Sequence, residues 1–255
     1  MNYIKAKIDF TEPKRNKSSK KKFSKYLLLL LCGFGYVPLV AQSENENPKK
    51  KDIPGFFMID LGINFPVNAP SGFNTSAFGS RTLDVYYYYE VKIPGLRSHL
   101  SVIPGIGLGL DRFKFNNYKT LSNEGSRIVM DDLGLRIKKS QLVTNYLDVP
   151  VELRYDFNPK DRYRSAYLSA GFKVGYLVNS YTKIKHLNND GNTVKDKSKQ
   201  DWNLNPLRYG ITANAGVGNF GLFGNYYLSS LFKDNKGPSG SSFSKFTLGI
   251  TLSGF

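Results

Sequence analysis

The sequence predicts an all-β chain, an eight-stranded antiparallel up-and-down transmembrane β-barrel behind a cleavable signal peptide. Three observations predict it. Behind the first 41 residues, apolar and polar side chains alternate in eight separate stretches, which is the period of a half-buried strand. The links between those stretches are short and long in strict turn, as the turns and loops of an outer-membrane barrel are. The chain also begins with a basic and then an apolar segment of the kind that directs export.

Residues 1–41 read as the signal peptide. Lys14, Arg15, Lys17, Lys20, Lys21, Lys22 and Lys25 form a basic n-region and Tyr26 to Tyr36 an apolar h-region. Leu39-Val40-Ala41 then places the cut between Ala41 and Gln42. The apolar run, roughly 11 to 16 residues, is short for a helix across a bilayer core of about 30 Å. Cys32, the single cysteine, lies inside it behind Leu29-Leu30-Leu31, which is not the small-residue context of a lipoprotein signal. The mature chain then has no thiol for a disulfide, a cysteine metal site or a nucleophile. Residues 42–53 read as a disordered periplasmic lead-in, and residues 54–255 as the barrel domain.

The strands are expected near 55–65, 82–93, 100–114, 141–157, 165–182, 204–217, 220–230 and 244–254. Their apolar faces begin with Phe57/Ile59/Leu61/Ile63/Phe65, Leu83/Val85/Tyr87/Tyr89/Val91/Ile93 and Leu100/Val102/Ile106/Leu108/Leu110. In the fourth strand Val143, Leu147, Val149, Val151, Leu153, Tyr155 and Phe157 oppose Thr144, Tyr146, Asp148, Glu152, Arg154 and Asp156. Leu168 to Val178, Leu207 to Val217 and Phe246 to Leu252 repeat the pattern. The seventh strand is ambiguous, because Phe223 and Tyr227 oppose Phe220, Leu222, Tyr226 and Leu228. Short links fall at Pro94-Gly95, at Asn158-Pro159-Lys160-Asp161 and at Gly218-Asn219; long ones fall at about 66–81, 115–140, 183–203 and 231–243. With both termini periplasmic, the long links face outward.

A soluble lipocalin-type barrel also has eight strands, with its apolar parity turned inward. Here strands of 11–18 residues and links of unequal length at the two ends favour the membrane. The polar parity, carrying Asp60, Asp84, Glu90, Lys92, Asp148, Glu152, Arg154, Lys173, Arg208 and Lys245, then faces the lumen. Asp148 is expected opposite Lys173 in the hairpin that turns at 158–163. Gly105, Gly107 and Gly109 share the interior parity of the third strand and are expected to make room for Tyr86 and Tyr88; curvature relief in the wall is the other reading. Mean hydropathy of −0.36 fits an apolar outside averaged with a polar inside.

The formal net charge of +16 includes nine basic and two acidic side chains in residues 1–41, and 27 against 18 remain, or +9. That remainder is scattered and no nucleic-acid motif accompanies it, so a basic surface near anionic lipid head groups is the better reading. Neither histidine has a nucleophile in reach: Ser98 and His99 are adjacent on a strand, and His186 sits in a basic loop. Asp131-Asp132 and Asp190-Gly191-Asn192 read as turn chemistry.

The chain resembles the PorT-type outer-membrane β-barrels of Bacteroidota. The resemblance is carried by Gly105-Ile106-Gly107-Leu108-Gly109-Leu110-Asp111, Tyr146-Leu147-Asp148-Val149-Pro150-Val151-Glu152-Leu153-Arg154-Tyr155, Gly171-Phe172-Lys173-Val174-Gly175-Tyr176 and Tyr227-Leu228-Ser229-Ser230-Leu231-Phe232-Lys233-Asp234. It covers essentially the whole mature chain and implies an eight-stranded barrel in the outer membrane, with a link to type IX protein secretion through the family's namesake. Phe255 departs from the usual pattern, being out of phase with Leu248, Ile250 and Leu252.

These observations converge on a non-enzymatic outer-membrane scaffold with a side-chain-filled lumen and long external loops. No catalytic, cofactor or metal residues are expected, and the residues of interest are the lumen charges Asp148, Glu152, Arg154, Lys173 and Arg208. Expected partners are outer-membrane lipid and lipopolysaccharide, the barrel-assembly machinery during biogenesis, and envelope or secretion proteins; nucleic acid is not expected. An accessory role in a type IX-like secretion system and a narrow channel are the alternatives. Recognition residues are expected on the loops 115–140 and 183–203, among them Tyr118 and Trp202.

Overall fold

A computed structural model describes residues 55–254, apart from 94–98, 117, 133–135, 162–163 and 189. The leader, the Ala41–Gln42 cleavage site, the whole of the lead-in, Pro94-Gly95, Ser98 and Phe255 lie outside the described residues. The strands are β1 (Phe56–Val67), β2 (Arg81–Tyr88), β3 (Val91–Lys92), β4 (Leu100–Phe115), β5 (Thr120–Glu124), β6 (Arg127–Asp131), β7 (Arg136–Asp156), β8 (Ala166–Leu187), β9 (Thr193–Ser198), β10 (Leu207–Val217), β11 (Phe220–Tyr227) and β12 (Ser244–Ser253). Antiparallel pairing runs β1–β2–β4–β7–β8–β10–β11–β12 and returns from β12 to β1, so eight strands close on themselves. No edge is left within that ring, which a sheet in lipid requires. Outside it, β3 pairs with β4, β9 pairs with the far end of β8, and β5–β6 form a separate hairpin.

The faces settle which parity meets lipid. Phe172, Val149 and Leu153 are 69%, 47% and 47% exposed, whereas Asp148, Glu152 and Lys173 are 0%, 1% and 2% exposed. That is the reverse of a soluble barrel and the pattern of one standing in a bilayer. Outward aromatics form two bands. Phe57, Tyr89, Tyr155, Phe157 and Phe220 stand near the short-turn end, and Phe65, Tyr176, Tyr209 and Tyr226 near the long-loop end. Eight residue steps separate Phe57 from Phe65, about 26 Å along a strand and about 20 Å of height at a tilt of about 40°, close to the usual apolar band of such barrels.

β11 resolves its ambiguity by turning Phe223 and Tyr227 inward, at 1% and 3% exposure, and Phe220, Leu222 and Leu228 outward. Phe223 fits because Gly62 and Gly249 lie beneath its ring: a Cβ on them would come within 2.8 and 2.7 Å of it. Gly218 takes the first central position of the two-residue β10–β11 turn with φ +59°, a conformation that favours glycine.

Three expectations are corrected. Asp148 pairs with Gly175, and Lys173 with Pro150, so the β7–β8 register differs by two residues from the one expected. The link over 157–165 is longer than the short turn read at 158–161, and Ser165 Oγ ties it by accepting from the Asn158 amide at 2.8 Å. A slip of two keeps every side chain on its face. Lys92 is exposed and Glu90 only half-buried, so neither joins the buried lumen residues, because β2 stops at Tyr88. The long links, finally, are structured: β7 and β8 run beyond their expected ends, and β5, β6 and β9 arise in links read as loops.

Candidate functional site

The lumen is packed with charge and aromatic rings in tiers. Nearest the long-loop end, Arg208 on β10 and Asp148 on β7 flank Gly175 of β8 in one row. Arg208 Nε donates to Asp148 Oδ1 at 3.0 Å, Nη2 to Asp148 Oδ2 at 2.5 Å, and Nη1 to Asp111 Oδ2 at 2.6 Å. Its guanidinium lies 4.0 Å from the Tyr146 ring centre and 5.0 Å from that of Tyr227. Asp111 also takes Lys245 Nζ at 2.5 Å and the Asn64 amide at 3.1 Å, while the Tyr86 hydroxyl donates to Asp148 at 2.9 Å.

Below this tier Lys173 Nζ stands 3.5 Å from Asp84 and 4.6 Å from the Tyr86 ring centre. Glu152 is held by neutral donors: Tyr88 Oη at 2.8 Å, Ser169 Oγ at 2.6 Å and Asn214 Nδ2 at 2.7 Å. Toward the short-turn end Arg154 donates to Asp156 at 3.0 Å and lies 3.9 Å from the Tyr167 ring centre. Buried carboxylates number six (Asp60, Asp84, Asp111, Asp148, Glu152, Asp156) against four cations (Arg154, Lys173, Arg208, Lys245) among the described residues. Donor hydroxyls and amides therefore do part of the work that cations do elsewhere, since a buried charge without partners is costly.

All five lumen residues singled out in the sequence are buried here, and Asp148 and Arg208 meet directly. Lys173 meets Asp84 instead of Asp148, and Arg154 meets Asp156. Sequence reasoning missed Asp111 and left Lys245 outside the network. The signal for Asp111 was present: it shares the parity of Gly105, Gly107 and Gly109 on β4. Those glycines make room as expected. Added Cβ atoms on Gly105 and Gly107 would come within 2.8 and 2.5 Å of the Tyr88 and Tyr86 rings, and one on Gly109 would fall on Arg208 Nη2 and Asp148 Oδ2.

A second packed body stands at the long-loop end. Phe73, Leu121, Ile128, Trp202, Phe232 and Phe243, drawn from all four long links, pack with Phe113, Phe115, Leu142, Leu204 and Leu231 in one buried cluster. Backbone bonds tie the links together: Ser76 N to Lys114 O at 2.8 Å, Ile128 N to Lys236 O at 2.9 Å, Lys233 N to Asn203 O at 2.8 Å and Leu231 N to Phe243 O at 2.8 Å. Trp202, at 3% exposure, belongs to this core and is not available for recognition, whereas Tyr118 is 66% exposed. The histidines are engaged elsewhere: His99 Nδ1 lies 2.7 Å from Asp156 O, and His186 Nδ1 lies 3.3 Å from Asp196 Oδ2.

A family model described as outer membrane protein beta-barrel domain matches residues 40–233. The chain belongs to that family. Its place is the outer membrane, where its apolar wall meets lipid, lipopolysaccharide included. Two solved structures are similar to this member of the outer membrane protein beta-barrel domain family. One is Ail, the attachment invasion locus protein of Yersinia pestis, in complex with the heparin analogue sucrose octasulfate, at 16% identity and a TM-score of 0.32. The match covers 79% of this chain and 100% of that one. The other is the N-terminal beta-barrel domain of Pseudomonas aeruginosa OprF, at 11% identity and a TM-score of 0.27, covering 78% of this chain and 97% of that one. No curated protein matches the chain.

Proposed function

We propose that this outer-membrane barrel is a non-enzymatic scaffold with a closed lumen that presents a folded cap at its long-loop end. The observation that carries this reading is the double closure. Arg208, Asp148, Asp111 and Lys245 lock with Tyr86, Tyr146 and Tyr227 across the lumen, and the aromatic cluster covers the mouth. Eight strands leave an interior that side chains alone can fill. Residues 1–41 act in this reading as a signal peptide cut between Ala41 and Gln42. Residues 42–53 follow as a periplasmic lead-in, residues 54–255 are inserted by the barrel-assembly machinery, and the cap faces outward. Purified protein in planar bilayers should give no stable conductance steps. Reproducible openings from the unaltered chain would overturn the scaffold reading in favour of a narrow channel.

The motifs shared with the PorT-type barrels of Bacteroidota support a second reading, an accessory in type IX-like protein secretion. Deleting the gene would then abolish secreted cargo, and a scaffold acting elsewhere in the envelope would leave secretion intact.

A further inference from the structure

Just above the apolar belt, one side of the outer wall is a sheet of cations. Arg112 and Lys114 continue the lipid-facing parity of Ile106, Leu108 and Leu110 on β4. Across the strands Arg112 stands opposite Val143, which stands opposite Tyr181; one step higher Lys114, Gln141, Lys183 and Lys197 form a row. A third row joins Lys139, Lys185 and Lys195. Extending the β2–β4 register past Thr82–Asp111 brings Arg81 beside Arg112. The patch spans five strands, about 19 Å at the usual strand spacing.

Three features separate this patch from an ordinary solvated face. Lysines sit directly opposite lysines at Lys183–Lys197, Lys185–Lys195 and Lys139–Lys185, an arrangement that destabilises a sheet. The ion pairs among the described residues use other cations, and the nearest carboxylate along β9, Asp196, turns to His186 on the opposite face. Val143 and Gln141, on the same outer face, are only 4% and 7% exposed, as residues flanked by long basic side chains with apolar stems can be. Partial burial and the charges of Lys114, Arg112, Lys183 and Arg81 together hold Lys139 below the usual lysine range. Lys197 Nζ lies 4.1 Å from the Tyr181 ring centre and Arg81 Nε donates to Phe78 O at 2.8 Å, but neither contact brings a negative charge, and cations held this close need an anion to settle them. The height fits one: Arg112 and Lys114 lie two and four residues beyond Leu110, about 7 and 14 Å along the strand, where head groups meet the wall.

We propose that this wall of β2, β4, β7, β8 and β9 binds a lipid head group bearing two or more phosphates, its acyl chains lying on the apolar belt below. Arg112 supplies a fork suited to one phosphate, and the lysine rows supply point charges for the others. The site goes beyond the scaffold reading and does not depend on whether the lumen conducts.

The test uses the full chain in nanodiscs of phosphatidylcholine with or without diphosphoryl lipid A, and inorganic phosphate as a separate arm. Lipid retained per barrel is read by native mass spectrometry. The unaltered protein should retain lipid A in preference to phosphatidylcholine. The combined variant Lys114→Gln/Lys139→Gln/Lys183→Gln/Lys185→Gln should lose about fivefold in apparent affinity per lysine, while Lys92→Gln/Lys160→Gln near the other end should not. Because the replaced cations repel one another, the combined variant should melt in phosphatidylcholine no lower than the parent. Should it fail to fold, Lys183→Gln/Lys185→Gln alone, together with release of lipid A from the parent as salt is raised, gives the same reading. Equal retention by parent and variant, or by lipid A and phosphatidylcholine, overturns the site. So does inorganic phosphate that raises the melting temperature as much as lipid A does, since the ligand would then be free phosphate.

Discussion

Arg208 and Asp148, sixty positions apart, form a two-pronged ion pair across a single intervening strand, with Nε–Oδ1 at 3.0 Å and Nη2–Oδ2 at 2.5 Å. The fork–carboxylate geometry adds direction to attraction. Both side chains are buried, Asp148 at 0% and Arg208 at 4% exposure. Arg208→Met should therefore cost about 3–5 kcal/mol, the toll of stranding a buried charge. The double variant Arg208→Met/Asp148→Leu should recover part of that loss, because Lys245 remains as partner for Asp111. Equilibrium urea unfolding in lipid vesicles measures both; a double variant as unstable as the sum of the singles would show that the pair does not act as a unit.

Gly175 lies between those two residues in the same row, and a Cβ placed there would meet Asp148 Oδ1, with Arg208 Nε 2.9 Å away. Gly224 offers the contrast, because the nearest atom to its added Cβ is on Phe246 at 3.8 Å. Gly175→Ala should destabilise the barrel by about 1–3 kcal/mol, as overpacking does, while Gly224→Ala should stay within about 0.5 kcal/mol. Equal effects from the two substitutions would mean that the row is not as tightly filled as its geometry requires.

Lys173 provides a test of register. Its contact is Asp84 at 3.5 Å, on β2, across the lumen from β8. A double-mutant cycle of Lys173→Met with Asp84→Asn should give a coupling above the ~0.2–1 kcal/mol of surface pairs. The cycle with Asp148→Asn should give less, because Tyr86 stands between the two, under Lys173 Nζ and bonded to Asp148. A larger coupling to Asp148 would favour the register in which the two lie opposite each other.

The contrast between these pairs shows what periodicity can carry. Two-residue alternation assigns a side chain to a face, so the burial of Asp148, Glu152, Arg154, Lys173 and Arg208 was legible from the sequence. It does not say which buried residues meet. Tyr88 reaches Glu152 and Arg208 reaches Asp111 across the lumen, between strands that are not neighbours. Register within a hairpin depends on turn geometry, and the 157–165 link, with Asn158 bound to Ser165, holds two more residues' worth of offset than a tight turn would. The cap was illegible for another reason. Phe73, Leu121, Ile128, Trp202, Phe232 and Phe243 are single apolar residues in polar links, with no period to announce that they converge.

That cap can be followed through one side chain, because Trp202 is the chain's only tryptophan. It is 3% exposed, packed in the cluster with Phe232 and Phe243, so its emission should be blue-shifted and poorly quenched by acrylamide. The cap is joined by a few backbone bonds and one apolar cluster, whereas the barrel is closed by continuous ladders in lipid. Regions with fewer such ties open first. Raising urea should therefore shift the tryptophan emission to the red before the barrel loses its heat-modifiable mobility on gels. Phe232→Ala, which removes a fully buried ring at a cost of about 3–5 kcal/mol, should bring the emission shift to lower urea and leave the mobility transition in place. A single coincident transition for both probes, moved together by Phe232→Ala, would mean that cap and barrel fold as one unit and that the long links are part of the wall's own stability.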